Sequence, residues 1–322
     1  MNIMMVSVAV ITYNMEKYLK QLLESILEQC VDFSYEIVIC DDCSPDNTRK
    51  LIQQYEKQYS NIIHPIYCED NLGGSRNMFR VMQKCKGKYI AILEGDDWWE
   101  DKGKLQYQVD FLENHPEYMG MCCNSWCDHG ERAEYKDLMR NRKTSRIFSF
   151  EDFMNRHFHD RLPSSTDTWI FRNFWHDGGD YSVFYKAHNM IWDQSLSLIL
   201  YGKGTIYAAH RIVSHHRSVS REDGTNYQSL IIQKNCLYED SLMYKKLEEY
   251  MEQELQRDCR QFYLVRGDVW IDAIFRAMKT NKKEDWKISW KIWREQSRKG
   301  MLMKLFLIKS TDIILRKLRI RV

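Results

Sequence analysis

An unbroken apolar run, Tyr89 to Leu93, lies between Gly87 and three acids in four positions, Glu94, Asp96 and Asp97. No other stretch restricts the fold as much. Its shortness and its β-branched and aromatic bias mark a buried strand, and a strand ending in acids delivers them to a sheet edge. In an open α/β sheet the carboxyl edge is where ligands bind. Acids so crowded repel one another, so solvent, a basic partner or a divalent cation must compensate them. Oxygen ligands of this kind suit Mg²⁺ or Mn²⁺, which would hold a phosphate-bearing ligand. From these residues alone, a solvated acidic turn capping a helix is an equal alternative.

The same grammar recurs upstream. Val6 to Ile11 reads as a strand ending in Thr12-Tyr13-Asn14, and a helix follows with Tyr18, Leu19, Leu22, Leu23, Ile26 and Leu27 on one face. Tyr35 to Cys40 is a second strand, ending in Asp41-Asp42; after the turn Ser44 to Thr48 a helical pattern runs from Arg49 to Tyr59. A third strand, Ile62 to Tyr67, leads to Asn71-Leu72-Gly73-Gly74-Ser75-Arg76-Asn77 and a helix from Asn77 to Cys85. Alternation of this kind predicts a parallel sheet with right-handed crossovers, its four polar loops converging on one edge. Neither Gly-x-Gly-x-x-Gly after the first strand nor a Walker A loop is present, which argues against dinucleotide binding and ATP-driven phosphoryl transfer. Gly73-Gly74 could let backbone approach a ligand closely, although a glycine turn is the commoner use.

Several of these segments, in this order, resemble family 2 glycosyltransferases of the GT-A fold. They are Val10-Ile11-Thr12-Tyr13-Asn14, the run Ile37 to Thr48, Asn71 to Asn77, Glu94-Gly95-Asp96-Asp97-Trp98-Trp99, and Lys104-Leu105-Gln106 through Leu112. The similarity covers about the first 220 residues. It implies a Rossmann-like α/β fold with a mostly parallel central sheet flanked by helices. It also implies a nucleoside-diphosphate sugar donor, UDP-linked, and an acceptor that is a saccharide or lipid-linked. Thr12, Tyr13 and Asn14 would line the nucleotide pocket, and Asp42, with Asp41, would accept a hydrogen bond from the base. Gly74 and Arg76 would face the nucleotide-sugar; the alternative for Arg76 is a surface ion pair worth little. Asp96 and Asp97 match the metal-binding acidic motif, Asp97 as the direct ligand, while Glu94 stands where many members carry aspartate. In the second half, 163–172 is similar to the segment preceding the acceptor-side helix, and Asp193 matches the catalytic base. Trp192 departs from the glutamate or glycine that many members carry before that aspartate, and Asp193 also suits an N-cap. Arg217 matches an arginine that would stabilise the diphosphate leaving group, although His216 replaces a tyrosine and Val219 stands where histidine is common. The transfer would be metal-dependent and inverting, in synthesis of a bacterial surface polysaccharide. A non-catalytic nucleotide-sugar-binding module would be expected to lack Asp97 or Asp193. A nucleotidyltransferase would need a glycine-rich basic loop where Thr12-Tyr13-Asn14 stands.

The boundaries expected are a body at 1–224, its nucleotide-sugar half at 1–115 and its acceptor half at 116–224, and a helical, basic extension at 225–322. Gly120 to Asn124 and Thr205 to Tyr207 read as strands, and Ser195 to Leu200 as a helix stopped by Gly202 and Gly204. The extension reads as helices over Leu230–Leu255 and Phe262–Met278. Trp286, Trp290 and Trp293 then follow at i, i+4, i+7, with Lys287, Lys291, Arg294 and Arg298 beside them. From Lys279 onward 14 Lys/Arg face 4 Asp/Glu, a local charge of +10 against −8 for the rest. This predicts an anionic partner for the tail and no general affinity for nucleic acid. Tryptophans beside lysines suit an interfacial helix on an anionic bilayer, and equally a helix packed on the body with its basic side in water. Met301 to Leu318 is too often interrupted by charge to span a membrane. The first residues lack a basic stretch and a cleavage site, so the expected place is the cytoplasm, at the inner face of the membrane. Its ten cysteines are then expected as reduced thiols. Cys40 and Cys43 have zinc-ligand spacing, but Cys122, Cys123 and Cys127 do not complete a regular set.

Overall fold

The computed structural model describes residues 3–129, 132–136, 146–155, 165–217, 234–257, 260–296, 299–300, 303–304 and 306–307. The expectations for Pro163, Ser164, Val219, Arg298 and most of Met301–Leu318 lie outside these. The chain divides into two compact units, Met1–Ser229 and Leu230–Val322.

The first unit opens with the predicted alternation: β1 (Val6–Thr12), α1 (Glu16–Leu27), β2 (Tyr35–Asp41), α2 (Thr48–Gln58), β3 (Ile63–Tyr67), α3 (Gly74–Lys84) and β4 (Tyr89–Glu94). Every residue of β1 is buried, the mark of a strand covered on both faces. Leu19, Leu22, Leu23 and Ile26 of α1 supply part of that cover, at the spacing the sequence displays. Next come β5 (Trp98–Trp99), α4 (Lys104–Asn114), β6 (Tyr118–His129), β7 (Arg132–Lys136), β8 (Arg146–Phe148) and α5 (Phe150–Asn155). A 3₁₀ turn at Thr166–Thr168, β9 (Ile170–Arg172), α6 (Val183–Lys186), α7 (Asp193–Lys203) and β10 (Thr205–Arg217) complete the unit.

The strands form one sheet in the order β3-β2-β1-β4-β9-β6-β10-β5, with β7 beside β6 and β8 beside β10. The first four sheet positions are parallel, as predicted. A purely parallel sheet is not what forms: β9 inserts antiparallel between β4 and β6, and β5, β7 and β8 also pair antiparallel. Because β9 opposes both neighbours, β6 and β10 run in the same sense as β4, so all these carboxyl ends share one edge. Arg172 locks the insertion, donating to the carbonyls of Tyr118, Leu112 and His115 and to the Tyr89 hydroxyl. In β10 the register against β6 shifts between Ala208 and Ile212 and again between Ile212 and Ser214, so bulges separate its first half from its last four residues.

The second unit contains α8 (Leu237–Tyr250), continued by a π turn at Met251–Leu255, then α9 (Arg260–Thr280) and α10 (Lys283–Arg294). Buried Arg266 bridges them, pairing with Glu248 at 2.5 Å and donating to the Glu295 carbonyl. The three tryptophans do not act alike. Trp293 packs on Trp270 with ring centres 4.6 Å apart, whereas Trp286 and Trp290 are 44% and 61% exposed. No described helix is long and apolar enough to cross a membrane.

At the amino edge of the sheet, buried Ser7 donates to Glu36 Oε1 at 2.6 Å and accepts the Gly87 amide at 2.8 Å, while the same carboxylate oxygen accepts the Lys86 amide. A Cβ at Gly87 would lie 2.4 Å from the Ser7 nitrogen, so only glycine fits this close approach. Ser7→Ala leaves a buried amide without an acceptor and removes a donor from a buried carboxylate. It should lower stability by about 1–3 kcal/mol, read as a shift in the urea midpoint at unchanged slope.

Candidate active site

Four strand ends and the loops after them meet at the carboxyl edge. Thr12 closes β1, and its hydroxyl donates to the Cys40 carbonyl at 3.1 Å. Tyr13 is half-buried, and Asn14 adopts a left-handed φ of 58° with its amide on Ser44 Oγ. Asp41 is fully buried and accepts from Arg49 Nε at 2.7 Å and from the Ser44 amide. Asp42 uses both oxygens on backbone, accepting the Leu72 and Gly73 amides at 2.9 Å each. Burial pushes its pKa up, and the two amides pull it back.

Gly74 is the first residue of α3, which starts three residues earlier than the sequence suggests. The close neighbour of Gly74 is the Met190 carbonyl, 3.4 Å from where its Cβ would sit. Arg76 is exposed and lies over the Tyr185 ring at 4.8 Å.

The acidic turn is more deeply withdrawn from water than the sequence implies. Glu94 accepts from Thr166 Oγ1 at 3.0 Å, and burial, followed by the charges of Asp97 and Asp96, raises its pKa to about 8. Asp97 is fully buried; it accepts the Arg217 amide at 2.8 Å and lies 3.2 Å from His216 Nδ1. Burial raises the Asp97 pKa, and the Asp97 charge in turn holds His216 well above the ordinary histidine value. Asp96 is half-buried, and its carbonyl accepts from the Arg217 guanidinium.

A third carboxylate, Asp167, completes the cluster from the 3₁₀ turn, where the sequence reading assigned it no role. One of its oxygens accepts from Ser214 Oγ; the other, Oδ1, is buried with no partner. Ligand atoms of Asp97, Asp167 and His216 all lie within 4.8 Å of one another. An orphaned carboxylate oxygen, a second carboxylate and an imidazole are a donor set that fits a divalent ion such as Mn²⁺. Asp96 is not in this group. The turn that carries Asp167 is clamped from α4 and β5: Trp99 Nε1 donates to the Asp167 carbonyl and Gln108 Nε2 to that of Thr168, both at 2.8 Å. Lys104 lies in the same layer, fully buried over the Trp99 ring and bonded to Gln108. Burial lowers its pKa to about 8. The Lys104–Leu112 segment thus supports the acidic site from below.

β10 sorts its last residues by strand alternation. Ser214 and His216 face the acids, while His215 and Arg217 face Trp98. His215 stacks on that indole at 4.2 Å and reaches Asp128 and Glu100 at 3.2 Å each. The Arg217 guanidinium lies between Trp98 and Tyr18, at 4.1 and 4.6 Å, and donates to Gln21 Oε1 at 2.6 Å. Period-two alternation across Ser214-His215-His216-Arg217 is the sequence signal that distinguishes the two histidines.

Asp193 does not cap its helix. α7 begins at Asp193 itself, Trp192 holds the cap position, and no side chain makes a capping bond. The Asp193 carboxylate is half-buried, and burial raises its pKa.

The family model for glycosyl transferase family 2 matches residues 7–177. TuaG of Bacillus subtilis, a putative teichuronic acid biosynthesis glycosyltransferase, is 38% identical over 108 residues, 34% of this chain and 42% of TuaG. A Mycobacterium tuberculosis protein without assigned function is 36% identical over 131 residues, 41% of this chain and 36% of its own. The matched stretch thus spans less than half the length of these relatives. Among solved structures, Staphylococcus aureus TarS 1–349 in complex with UDP superposes with a TM-score of 0.55 at 21% identity, covering 83% of this chain and 80% of that one. At that identity the likeness speaks for the fold, which is GT-A. With over half its length matched by the family model, the chain belongs to glycosyl transferase family 2.

Proposed function

We propose that the protein transfers a sugar from a nucleoside-diphosphate donor, UDP-linked, to an acceptor hydroxyl with inversion at the anomeric carbon. The observation that carries this reading is the unpartnered, buried Asp167 oxygen beside Asp97 and His216, with Arg217 one residue on. Asp97, Asp167 and His216 would hold a divalent ion, Mn²⁺ or Mg²⁺, and Asp96, which the family resemblance implies as a further ligand, precedes Asp97 in the chain. When bound, such an ion supplies positive charge to a diphosphate. TarS structures described as complexes with UDP and with UDP-GlcNAc support the donor class.

The chain's own residues account for the remainder. Arg217, pinned between two rings, offers a preorganised cation where the leaving diphosphate gains charge. Asp193 accepts the proton of the acceptor hydroxyl as that oxygen attacks. Its burial-raised pKa brings it closer to the working pH, which improves a carboxylate base. The names of TuaG and TarS, for teichuronic acid biosynthesis and for poly(ribitol-phosphate) modification, support an acceptor in a cell-surface polymer. A lipid-linked or membrane-near acceptor would suit α10, whose exposed Trp286 and Trp290 accompany exposed Lys287 and Arg294 on a strongly basic tail. Contact with the anionic inner leaflet belongs to this reading.

UDP release across a panel of nucleotide-sugars, with and without Mn²⁺, tests the whole. Asp97→Ala should abolish Mn²⁺ binding, followed by electron paramagnetic resonance of the free ion, and with it metal-dependent transfer. Wild-type titration by that variant removes the metal assignment. Asp193→Asn should bind UDP normally in calorimetry yet transfer about 10²–10⁴ times more slowly. Near-normal transfer would place the base elsewhere. Replacing Trp286 and Trp290 together by serine should weaken sedimentation with anionic liposomes while leaving the thermal midpoint unchanged; undiminished binding sinks the membrane contact.

A further inference from the structure

Asp193 follows a short turn, and that turn is built on the loop after β3. His188 folds it: Nδ1 accepts the amides of Met190 at 3.0 Å and Ile191 at 2.9 Å. Accepting both requires a lone pair on Nδ1, hence a neutral ring with its hydrogen on Nε2. The turn then docks on the 72–75 loop, because the Ser75 amide donates to the Asn189 carbonyl at 2.9 Å. Trp192, the residue before Asp193, is buried, with its indole 3.9 Å from where a Cβ of Gly74 would sit. It stacks on Phe184 at 6.1 Å.

The partner loop is itself fixed. Gly73 has φ 85° and ψ 157°, a region only glycine enters readily. Any Cβ there would meet the Asn189 side chain at about 2.5 Å. That amide can swing aside; the backbone angle cannot relax so cheaply. The other side of the loop hangs from Asp42, whose two oxygens hold the Leu72 and Gly73 amides. Asp42 is anchored in turn, its own amide on the Thr12 carbonyl at 3.0 Å. A continuous set of bonds therefore runs from the end of β1 through Asp42 and the 72–75 loop to the turn before Asp193.

We propose that His188 and Gly73 are positioning residues for Asp193: the imidazole folds the turn that presents the carboxylate, and the glycine lets that turn dock on the loop held by Asp42. The proposal rests on the reading of Asp193 as base given above. Under it, Asp42 acts on the acceptor side as well as at the nucleotide pocket, and the glycine pair packs protein on protein.

The test compares His188→Ala, His188→Asn, Gly73→Ala and Asp193→Asn in the full chain, using the donor that the panel selects. His188→Ala should lower kcat about 10- to 100-fold, as small misplacements of a reacting group do, with KM for the donor changed less than about twofold. Amide exchange at Met190, Ile191 and Ser75 should accelerate in the same variant. His188→Asn should recover most of both, since an asparagine oxygen can accept amides two or three residues on. Gly73→Ala should resemble His188→Ala in kcat and in exchange at Ser75. Full kcat in His188→Ala, equal losses in His188→Ala and His188→Asn, or a loss confined to KM would each overturn the proposal. The two readings fail separately. Active Asp193→Asn removes the base assignment and the proposal with it, whereas inactive Asp193→Asn beside fully active His188→Ala removes only the positioning role.

Discussion

Repulsion among buried carboxylates is the constraint around which the catalytic unit is arranged. Ligand atoms of Asp97 and Asp167 lie within 4.8 Å, where two unit charges repel by about 3 kcal/mol at an effective dielectric near 20. Half-buried Glu94 adds a third acid, and Asp97 and Asp167 have no exposure to solvent. The answers to that repulsion come from two places, the end of β10 and the 3₁₀ turn. His216 and the Arg217 amide come from β10, the Ser214 hydroxyl from the same strand, and the Thr166 hydroxyl from the 3₁₀ turn. Three of these four donors stand within four consecutive residues of one strand. A protein selected for stability alone would not gather charge in this way. Under the proposed function the arrangement is an advantage, because the negative field that attracts a cation exists before the ion arrives.

Much of the frame is legible in the sequence because it is local. β1, β2 and β4 are each a short, largely apolar run closed by polar residues, and α1 shows its buried face as a 3.6-residue repeat. What stays hidden depends on distant partners. Ile170-Phe171-Arg172 is too short to announce a strand, and its antiparallel place between β4 and β6 follows from pairing with residues about 80 and 50 positions away. Asp167 reads as one polar residue among several, since only the clamp from Trp99 and Gln108 turns it inward.

Other readings change for reasons of surroundings. Asp193 has the right chemistry for an N-cap, yet the helix begins one residue early with its indole predecessor in the cap position. In the second unit, the periodicity of the three tryptophans correctly places them on one arc of a helix. It cannot tell that Trp270 claims the one at the edge of that arc. The glycine pair marks a close approach whose partner the sequence does not name. Close approach does occur, and within the chain it is to Asn189 and Met190.

β10 carries one further implication. Its register shifts against β6 fall between Thr205 and Ile206 and, twice, between Ala208 and Ser214, all before the four regularly paired residues that face the acids and the indole. Extra residues are absorbed there, so the alternation of Ser214, His215, His216 and Arg217 is decoupled from the strand's length before them. Insertions near Ala208–Ile212 can reshape this region over evolutionary time without exchanging the two faces. A single insertion after Ser214, where the pairing with β6 is regular, would instead turn His215 toward the carboxylates and His216 toward Trp98, so the strand divides into a tolerant stretch and one that admits no change of phase.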